Sequence, residues 1–145
     1  MKFGLYISTQ WPEGADISSE MDNMLEQVRV ARDNGFSSVW MGQHYLVAPM
    51  QMMQVMPLLS RLAAEGEGMT FGTAVVLLSM LNPAVVAEEA ATLDWITEGN
   101  FILGVGMGYR KEEFETLGVP FNQRAGRLEE GIDVIRRLWT EDRVN

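Results

Sequence analysis

The chain has 145 residues, of which 47% are hydrophobic and 21% charged, with no cysteine and a single histidine. This much apolar material excludes a disordered chain and suffices for one compact domain, while the lack of cysteine excludes disulfide scaffolds, iron–sulfur clusters and thiolate zinc. One histidine excludes a multi-histidine metal site, and the net charge of −9 argues against nucleic acid or an anionic membrane as partner.

The first residues turn polar after a short apolar run, so they match neither a signal peptide nor a membrane span. We therefore expect a cytoplasmic protein without a bound metal. An apolar run without helical period at residues 3–7 predicts a first buried strand, and residues 37–42 predict a second. Apolar residues recur at helical spacing between them, and we expect Ser18 or Ser19 to cap this helix and Gly35 to end it.

The next two units follow the same order. The Met-rich residues 49–64 predict a helix, weakened by Pro57, which lacks a backbone donor. Residues 70–78 form a nearly continuous β-prone run and predict a third strand. Asn82 followed by proline is a helix start signal, because asparagine accepts from a free N–H and proline loses nothing at the first position. We predict a helix over residues 83–97.

A fourth strand is predicted over residues 101–106, after Gly99 ends the preceding helix. Five apolar residues stripe one face of a last helix: Leu128, Ile132, Ile135, Leu138 and Trp139. The predicted strands begin about thirty residues apart, which is the length of a parallel βαβ unit. They are apolar on both faces, so we expect an α/β fold with a parallel sheet covered by helices or closed into a barrel.

Two architectures accommodate this order, an open doubly wound sheet and an eight-stranded barrel. A dinucleotide fold needs a G-x-G-x-x-G loop after its first strand, and residues 8–12 contain no glycine. The glycine-rich residues 104–109 follow the fourth strand instead and end in tyrosine. Barrel enzymes gather polar residues at the carboxyl ends of several strands. Such residues follow each predicted strand: Ser8, Gln43 with His44, Thr73, and Met107-Gly108-Tyr109.

We therefore predict a parallel (β/α) barrel of the TIM type. A complete barrel takes about 250 residues and eight units, whereas this chain carries four. We expect one barrel domain over residues 1–145, truncated at its C-terminus, with two unpaired sheet edges and a half-exposed interior. Residues 140–145 look like the beginning of the loop that leads to a fifth strand.

Several motifs, in order along the chain, resemble those of a known family. They are Gly72-Thr73-Ala74-Val75, Asn82-Pro83, residues 87–94, residues 103–109, Glu113-Phe114, Arg124, residues 127–130 and Leu138-Trp139. Together they resemble bacterial luciferase and the luciferase-like flavin-dependent monooxygenases, and the whole chain looks like the N-terminal half of that barrel. The resemblance implies oxidation of a small organic substrate by reduced FMN and molecular oxygen, with a separate NAD(P)H-dependent flavin reductase. We also expect a homo-oligomer.

The resemblance implies roles for individual residues. The candidate catalytic residues are His44, which takes the place of the family's catalytic histidine, and Gln43 beside it. The family has glutamate where this chain has Gln43, so the carboxylate that would orient the histidine is absent. An imidazole suits general acid–base catalysis near neutral pH. The Ala74–Val75 peptide bond is expected to be cis, and Met107 replaces an arginine that helps to hold the cofactor. The implied cofactor-binding residues are Thr73, Ala74, Val75, Gly106, Met107, Gly108 and Tyr109.

Two alternatives to this function stay open. One is hydride transfer with the deazaflavin coenzyme in the same family, and the other is a non-catalytic half-barrel that pairs with itself or with a complementary half. We expect Gly106 and Gly108 to allow a close approach of the backbone to flavin or to the next element.

Other residues are expected to support the fold. The glutamates at positions 88, 89, 112, 113 and 115 should lie on solvated faces or form supporting salt bridges. Arg124 and Arg127 should pair with Glu129, Glu130 or the preceding loop. Four methionines should fill the core or a subunit interface, with a substrate pocket as the alternative: Met50, Met52, Met53 and Met56.

Overall fold

A computed structural model describes residues 1–144, and a four-stranded parallel sheet lies at its centre. The strands of the described chain are β1 (Gly4–Tyr6), β2 (Gln10–Trp11), β3 (Ser38–Met41), β4 (Gln51–Met52), β5 (Thr70–Thr73) and β6 (Phe101–Ile102). The α-helices are α1 (Ile17–Asp33), α2 (Val55–Ala63), α3 (Pro83–Ile96), α4 (Lys111–Thr116) and α5 (Arg124–Thr140). The central sheet has the order β1-β3-β5-β6, and β2 pairs with β4 in a separate antiparallel ladder.

The predicted parallel arrangement is confirmed, with each strand beginning within a residue of its predicted start. Leu5, Val39 and Phe71 are aligned across the sheet and belong to the main core with the helices. The opposite face carries Tyr6 and Ile102, which are 59% and 48% exposed. Strands β1 and β6 form the two edges of the sheet, so the predicted open edges and half-exposed interior are present.

Local capping signals fix the ends of α1 and α3. Asp16 caps α1, because its carboxylate accepts from the Ser18 N–H at 3.0 Å and the Ser19 hydroxyl at 2.7 Å. The prediction that Ser18 or Ser19 is the cap is therefore wrong by two or three residues. Gly35 follows α1 with a φ of +79°, as predicted. Asn82 caps α3 by accepting from the Ala84 N–H at 2.9 Å, which confirms the predicted start.

The Met-rich segment is not one helix. Helix α2 begins at Val55, so the predicted helical start at residue 49 is wrong. Residues 51–52 instead pair with Gln10 and Trp11, an interaction across about forty residues of sequence that local patterns do not reveal. Pro57 lies in the first turn of α2, where its missing N–H has no intrahelical partner to lose.

Two predicted strands are shorter in the structure. Strand β5 ends at Thr73, and Leu78, the last residue of the predicted strand, begins a 3-10 turn that runs to Met80. Strand β6 ends at Ile102, although a parallel bridge between Val76 and Val105 continues the alignment of the two segments. The residues that follow β5 and β6 therefore lie outside the regular sheet and can line a site.

The last helix packs on the core over most of its length. Ile135 is buried, and Leu128 and Ile132 pack against the main core, as the predicted stripe requires. Leu138 and Trp139 at its end are 39% and 49% exposed. Among residues 1–144, no helix combines the length and apolar character that crossing a membrane requires.

Glu65 joins α1 to α2 through two arginines. Its carboxylate accepts from Arg29 Nε at 2.8 Å and from Arg61 at 3.0 Å. These hydrogen bonds, with that of Arg29 the larger cause, lower the pKa of Glu65 from 4.5 to about 2. The folded-state pKa lies below the unfolded value, so the charged carboxylate stabilises the fold above about pH 4.5.

We expect Glu65→Gln to lower the free energy of unfolding at neutral pH. The difference from the original chain should shrink as the pH falls from 4.5 towards about 2, since both proteins are then neutral at this position. Urea denaturation over this pH range measures it. Glu130→Gln, at an exposed position on α5, is the control. A difference that persists unchanged at low pH would show that the ion pairs are not its source.

Candidate active site

A cleft of about 410 Å³ opens where the four parallel strands end. Its volume lies in the range of roughly 300–1,000 Å³ that is typical of small-molecule sites. Each parallel strand contributes the segment that follows it, as in barrel enzymes. The lining residues are Tyr6, Ser8, Thr9, Gln10, Gly42, Gln43, His44, Met52, Ala74, Val75, Leu77, Gly106, Met107, Gly108 and Tyr109.

The cleft brings together all but one of the predicted site residues. Thr73 is the exception, because its side chain is buried behind the cleft and bonds only to Gly104 among the described contacts. Its hydroxyl donates to the Gly104 carbonyl at 2.7 Å and accepts from the Gly104 N–H at 2.9 Å. Thr73 thus joins β5 to the segment after β6.

Six lining residues are absent from the predicted site and strand-end residues: Tyr6, Thr9, Gln10, Gly42, Met52 and Leu77. The position of Thr9 and Gln10, directly after Ser8 and the first strand, is a signal that could have identified them. Met52 has no such signal, because it reaches the cleft through the pairing of β4 with β2. The methionine stripe therefore divides: Met56 is in the core, Met52 lines the cleft and Met50 is 38% exposed.

His44 lies at the boundary between the cleft and the protein interior. Its side chain is 24% exposed, and Nδ1 lies 3.0 Å from Oε1 of Glu113. The ring of Tyr109 stands nearly perpendicular to the imidazole, with 5.7 Å between the ring centroids. The imidazole of His44 thus faces the cleft on one side and contacts a carboxylate on the other.

Glu113 is completely buried although it lies on the short helix α4. Oε1 accepts from the Tyr45 N–H at 2.8 Å and lies 3.5 Å from the Arg110 guanidinium. Oε2 is buried without a hydrogen-bond partner among the described residues. The expectation of a solvated face is wrong for Glu113, while that of a supporting salt bridge is confirmed.

Glu113 also corrects the expectation that His44 lacks a carboxylate. The carboxylate that contacts His44 belongs to Glu113, 69 residues further along the chain, and not to position 43. The one sequence observation at this position is that Glu113-Phe114 is among the motifs that carry the family resemblance, and nothing in its neighbours predicts its burial. Neighbouring Glu112 and Glu115 are exposed, as predicted for the solvated face.

Gln43 is 6% exposed and its amide is fully engaged with protein groups. Its Oε1 accepts from the Leu77 N–H at 2.9 Å, and its Nε2 donates to the Tyr45 hydroxyl at 3.0 Å and to Gln54 Oε1 at 3.2 Å. Gln54 in turn donates to the His44 carbonyl at 3.0 Å. The two glutamines therefore hold the segment that carries His44 against the segment after β5.

Burial, followed by the charges of Glu89 and Glu113, raises the pKa of the Tyr45 phenol above its usual range. The phenol stays protonated at neutral pH. Tyr45 thus offers a neutral hydroxyl to Gln43 rather than a charge.

The backbone approaches closely on the far side of the cleft. A Cβ at Gly106 would lie 2.5 Å from Val75, and one at Gly108, where φ is +75°, would lie 2.5 Å from Met80. Of the two expected approaches, the one to a neighbouring element is therefore present at both glycines. The Ala74–Val75 peptide bond is cis, as the resemblance implied.

Of the partners predicted for Arg124 and Arg127, the preceding loop is confirmed for Arg124, whereas ion pairs with Glu129 or Glu130 are not among the described contacts. Arg127 donates to the Ser79 carbonyl at 2.6 Å. Arg124 donates to the Phe121 carbonyl at 3.0 Å, and its guanidinium lies 3.9 Å from the centroid of the Phe121 ring. Backbone carbonyls and an aromatic face thus take the place of Glu129 and Glu130 as partners.

A cleft at the carboxyl ends of parallel strands, lined by loops from four of them, is the site geometry of the (β/α) barrel class of proteins. A family model described as luciferase-like monooxygenase matches residues 1–145. The chain belongs to this family.

Three curated relatives illustrate the range of the family. The 4-hydroxyprotoasukamycin monooxygenase of Streptomyces nodosus subsp. asukaensis is 30% identical over 98% of this chain and 38% of its own length. The F420-dependent glucose-6-phosphate dehydrogenase of Intrasporangium calvum is 37% identical over 79% of the chain and 37% of its own length. The oxygenase component of a flavin-dependent trigonelline monooxygenase from Acinetobacter baylyi is 26% identical, over 98% and 40%.

Two solved structures share the fold. A monooxygenase from Streptomyces bottropensis superposes with a TM-score of 0.87 and 26% identity, over 99% of this chain and 44% of that one. The oxygenating constituent of 3,6-diketocamphane monooxygenase from Pseudomonas putida, in complex with FMN, gives a TM-score of 0.85 at 19% identity, over 99% and 41%. The chain thus spans less than half the length of the relatives that it matches.

Proposed function

We propose that this chain supplies the catalytic histidine and part of the flavin site of an oxidoreductase that uses reduced FMN and molecular oxygen to oxidise a small organic substrate. The observation that carries the proposal is the contact of His44 with buried Glu113 at the edge of a cleft formed by four strand ends. The named activities of the monooxygenase relatives support the same reaction class.

The lining residues fit the ring system of a flavin. Val75, Leu77 and Met107 offer apolar surface, and Gly106 and Gly108 offer backbone without side chains. Of the described residues that line the cleft, none is Asp, Glu, Lys or Arg. This neutral lining suits the uncharged ring rather than the phosphate of FMN.

The residues of this chain provide proton transfer and positioning. A bound reduced flavin supplies the electrons that reduce oxygen. His44 holds or moves a proton on the ring nitrogen that faces the cleft, which is the general acid–base role of an imidazole. Glu113 orients the ring, and Gln43 with Gln54 holds its backbone, so we assign Gln43 a positioning role.

The Acinetobacter relative is an oxygenase component, and this supports a separate reductase as the source of reduced flavin. The second candidate function is hydride transfer with the deazaflavin coenzyme, and the 37% identity to an F420-dependent dehydrogenase supports it.

Fluorescence titration with FMN, riboflavin and the deazaflavin coenzyme tests the proposal. We expect saturable quenching by the chain with FMN and riboflavin alike, because the lining contacts suit the ring and include no cationic side chain. Binding of the deazaflavin coenzyme alone would favour the second candidate. If no flavin responds at high protein concentration, this polypeptide alone is a non-catalytic half-barrel and the proposal fails for it.

A further inference from the structure

We propose that Glu113 is a positioning residue that holds neutral His44 in the tautomer with the proton on Nδ1, so that Nε2 is the proton acceptor presented to the cleft. The inference rests on the proposed function for its catalytic meaning. The location of the proton on Nδ1 can be determined without any cofactor.

The first step is the donor count at Glu113. An ionised carboxylate only accepts hydrogen bonds. Oε2 has no partner in the described chain, and Oε1 acts as an acceptor because the Tyr45 N–H donates to it at 2.8 Å. Two further groups face Oε1: the Arg110 guanidinium at 3.5 Å and His44 Nδ1 at 3.0 Å. If Nδ1 carried no proton, two acceptors would face each other in a buried place without a hydrogen bond, which favours a proton on Nδ1.

The second step is the orientation of the ring. Nδ1 and Nε2 lie on different sides of an imidazole, and Nδ1 contacts a carboxylate with no exposed surface. The His44 side chain is 24% exposed and lines the cleft, so Nε2 is the nitrogen left for a bound molecule.

The third step is the rigidity of the surroundings. Glu113 accepts from the backbone of Tyr45, the residue after His44, while Gln54 donates to the His44 carbonyl. The backbone on both sides of the imidazole is therefore held by hydrogen bonds. Within this frame a 180° flip of the ring would put the carbon Cδ2 in the place of Nδ1 and lose the contact with Oε1. One carboxylate thus fixes both the rotamer and the tautomer.

Nitrogen NMR of the imidazole tests this directly, because His44 is the only histidine in the chain. At about pH 8, above the ordinary imidazole range, we expect a protonated signal for Nδ1 and an unprotonated one for Nε2. In Glu113→Gln the amide can donate as well as accept, so the fraction of the Nδ1–H tautomer should fall several-fold. Glu112→Gln and Glu115→Gln, exposed positions on the same helix, should leave the spectrum unchanged.

A protonated Nε2 in the original chain overturns the proposal, and this measurement needs no variant to fold. An unchanged tautomer in folded Glu113→Gln also overturns it. In active enzyme we expect Glu113→Gln to lower kcat with little change in KM. Failure of flavin binding would sink the proposed function, whereas the NMR result would still decide the location of the proton.

Discussion

Replacing His44 with alanine is expected to lower substrate-dependent turnover with reduced FMN by about 10²–10⁴-fold, the usual contribution of a general acid–base group. His44 is the sole histidine, and none of the described residues that line the cleft is Asp, Glu, Lys or Arg. The measurement is kcat with saturating flavin, in a preparation of the enzyme that turns over.

Glu112→Ala, on the exposed face of α4, is the matched control and should keep full activity. Flavin affinity of His44→Ala should change little, since the ring contacts of the cleft are left in place. Added imidazole should restore part of the turnover in the alanine variant. Turnover equal to that of the original protein would remove His44 from the mechanism.

Phe114→Ala is expected to lower the free energy of unfolding by about 3–5 kcal/mol, the range for large-to-small changes of buried aromatic residues. Phe114 has no exposed surface and forms a buried cluster with Leu77 and Met80. Its ring stands edge-on to Phe121, with 5.1 Å between the centroids. This cluster joins α4 to the segments that line the cleft.

Urea denaturation of three variants measures the effect. Leu117→Ala, at the exposed end of α4, should change stability by less than about 0.5 kcal/mol. Phe114→Leu should fall between the two, since leucine fills part of the space. A loss for Phe114→Ala no larger than that for Leu117→Ala would show that the cluster does not anchor α4.

Local signals were sufficient to predict the central parallel sheet and three of the helices, α1, α3 and α5. Gly35, Asn82 and the apolar runs determine the conformation of residues next to them in the sequence, so the fold agrees with what they predict. Residues 51–52 behave differently, because their pairing with β2 overrides the helical pattern of their own segment.

The candidate site likewise contains residues that the sequence predicts and one, Glu113, that it does not. Strand ends predict which residues converge, and His44, Val75 and Gly106 duly meet in one cleft. Glu113 could not be placed from its neighbours alone, because its charged side chain is typical of solvent-facing helices. Its burial depends on donors from Tyr45 and His44, and only the folded chain brings these together.

The distance along the chain between His44 and Glu113 has a consequence for the order of folding. Closing a loop of 69 residues costs more entropy than closing the loops of about thirty residues between neighbouring strands, so we expect this pair to form after the sheet. We expect β3, β5 and α4 to be in place first. The NMR signals of the His44 imidazole therefore also report on folding. In a refolding experiment, their native chemical shifts should be among the last features to return.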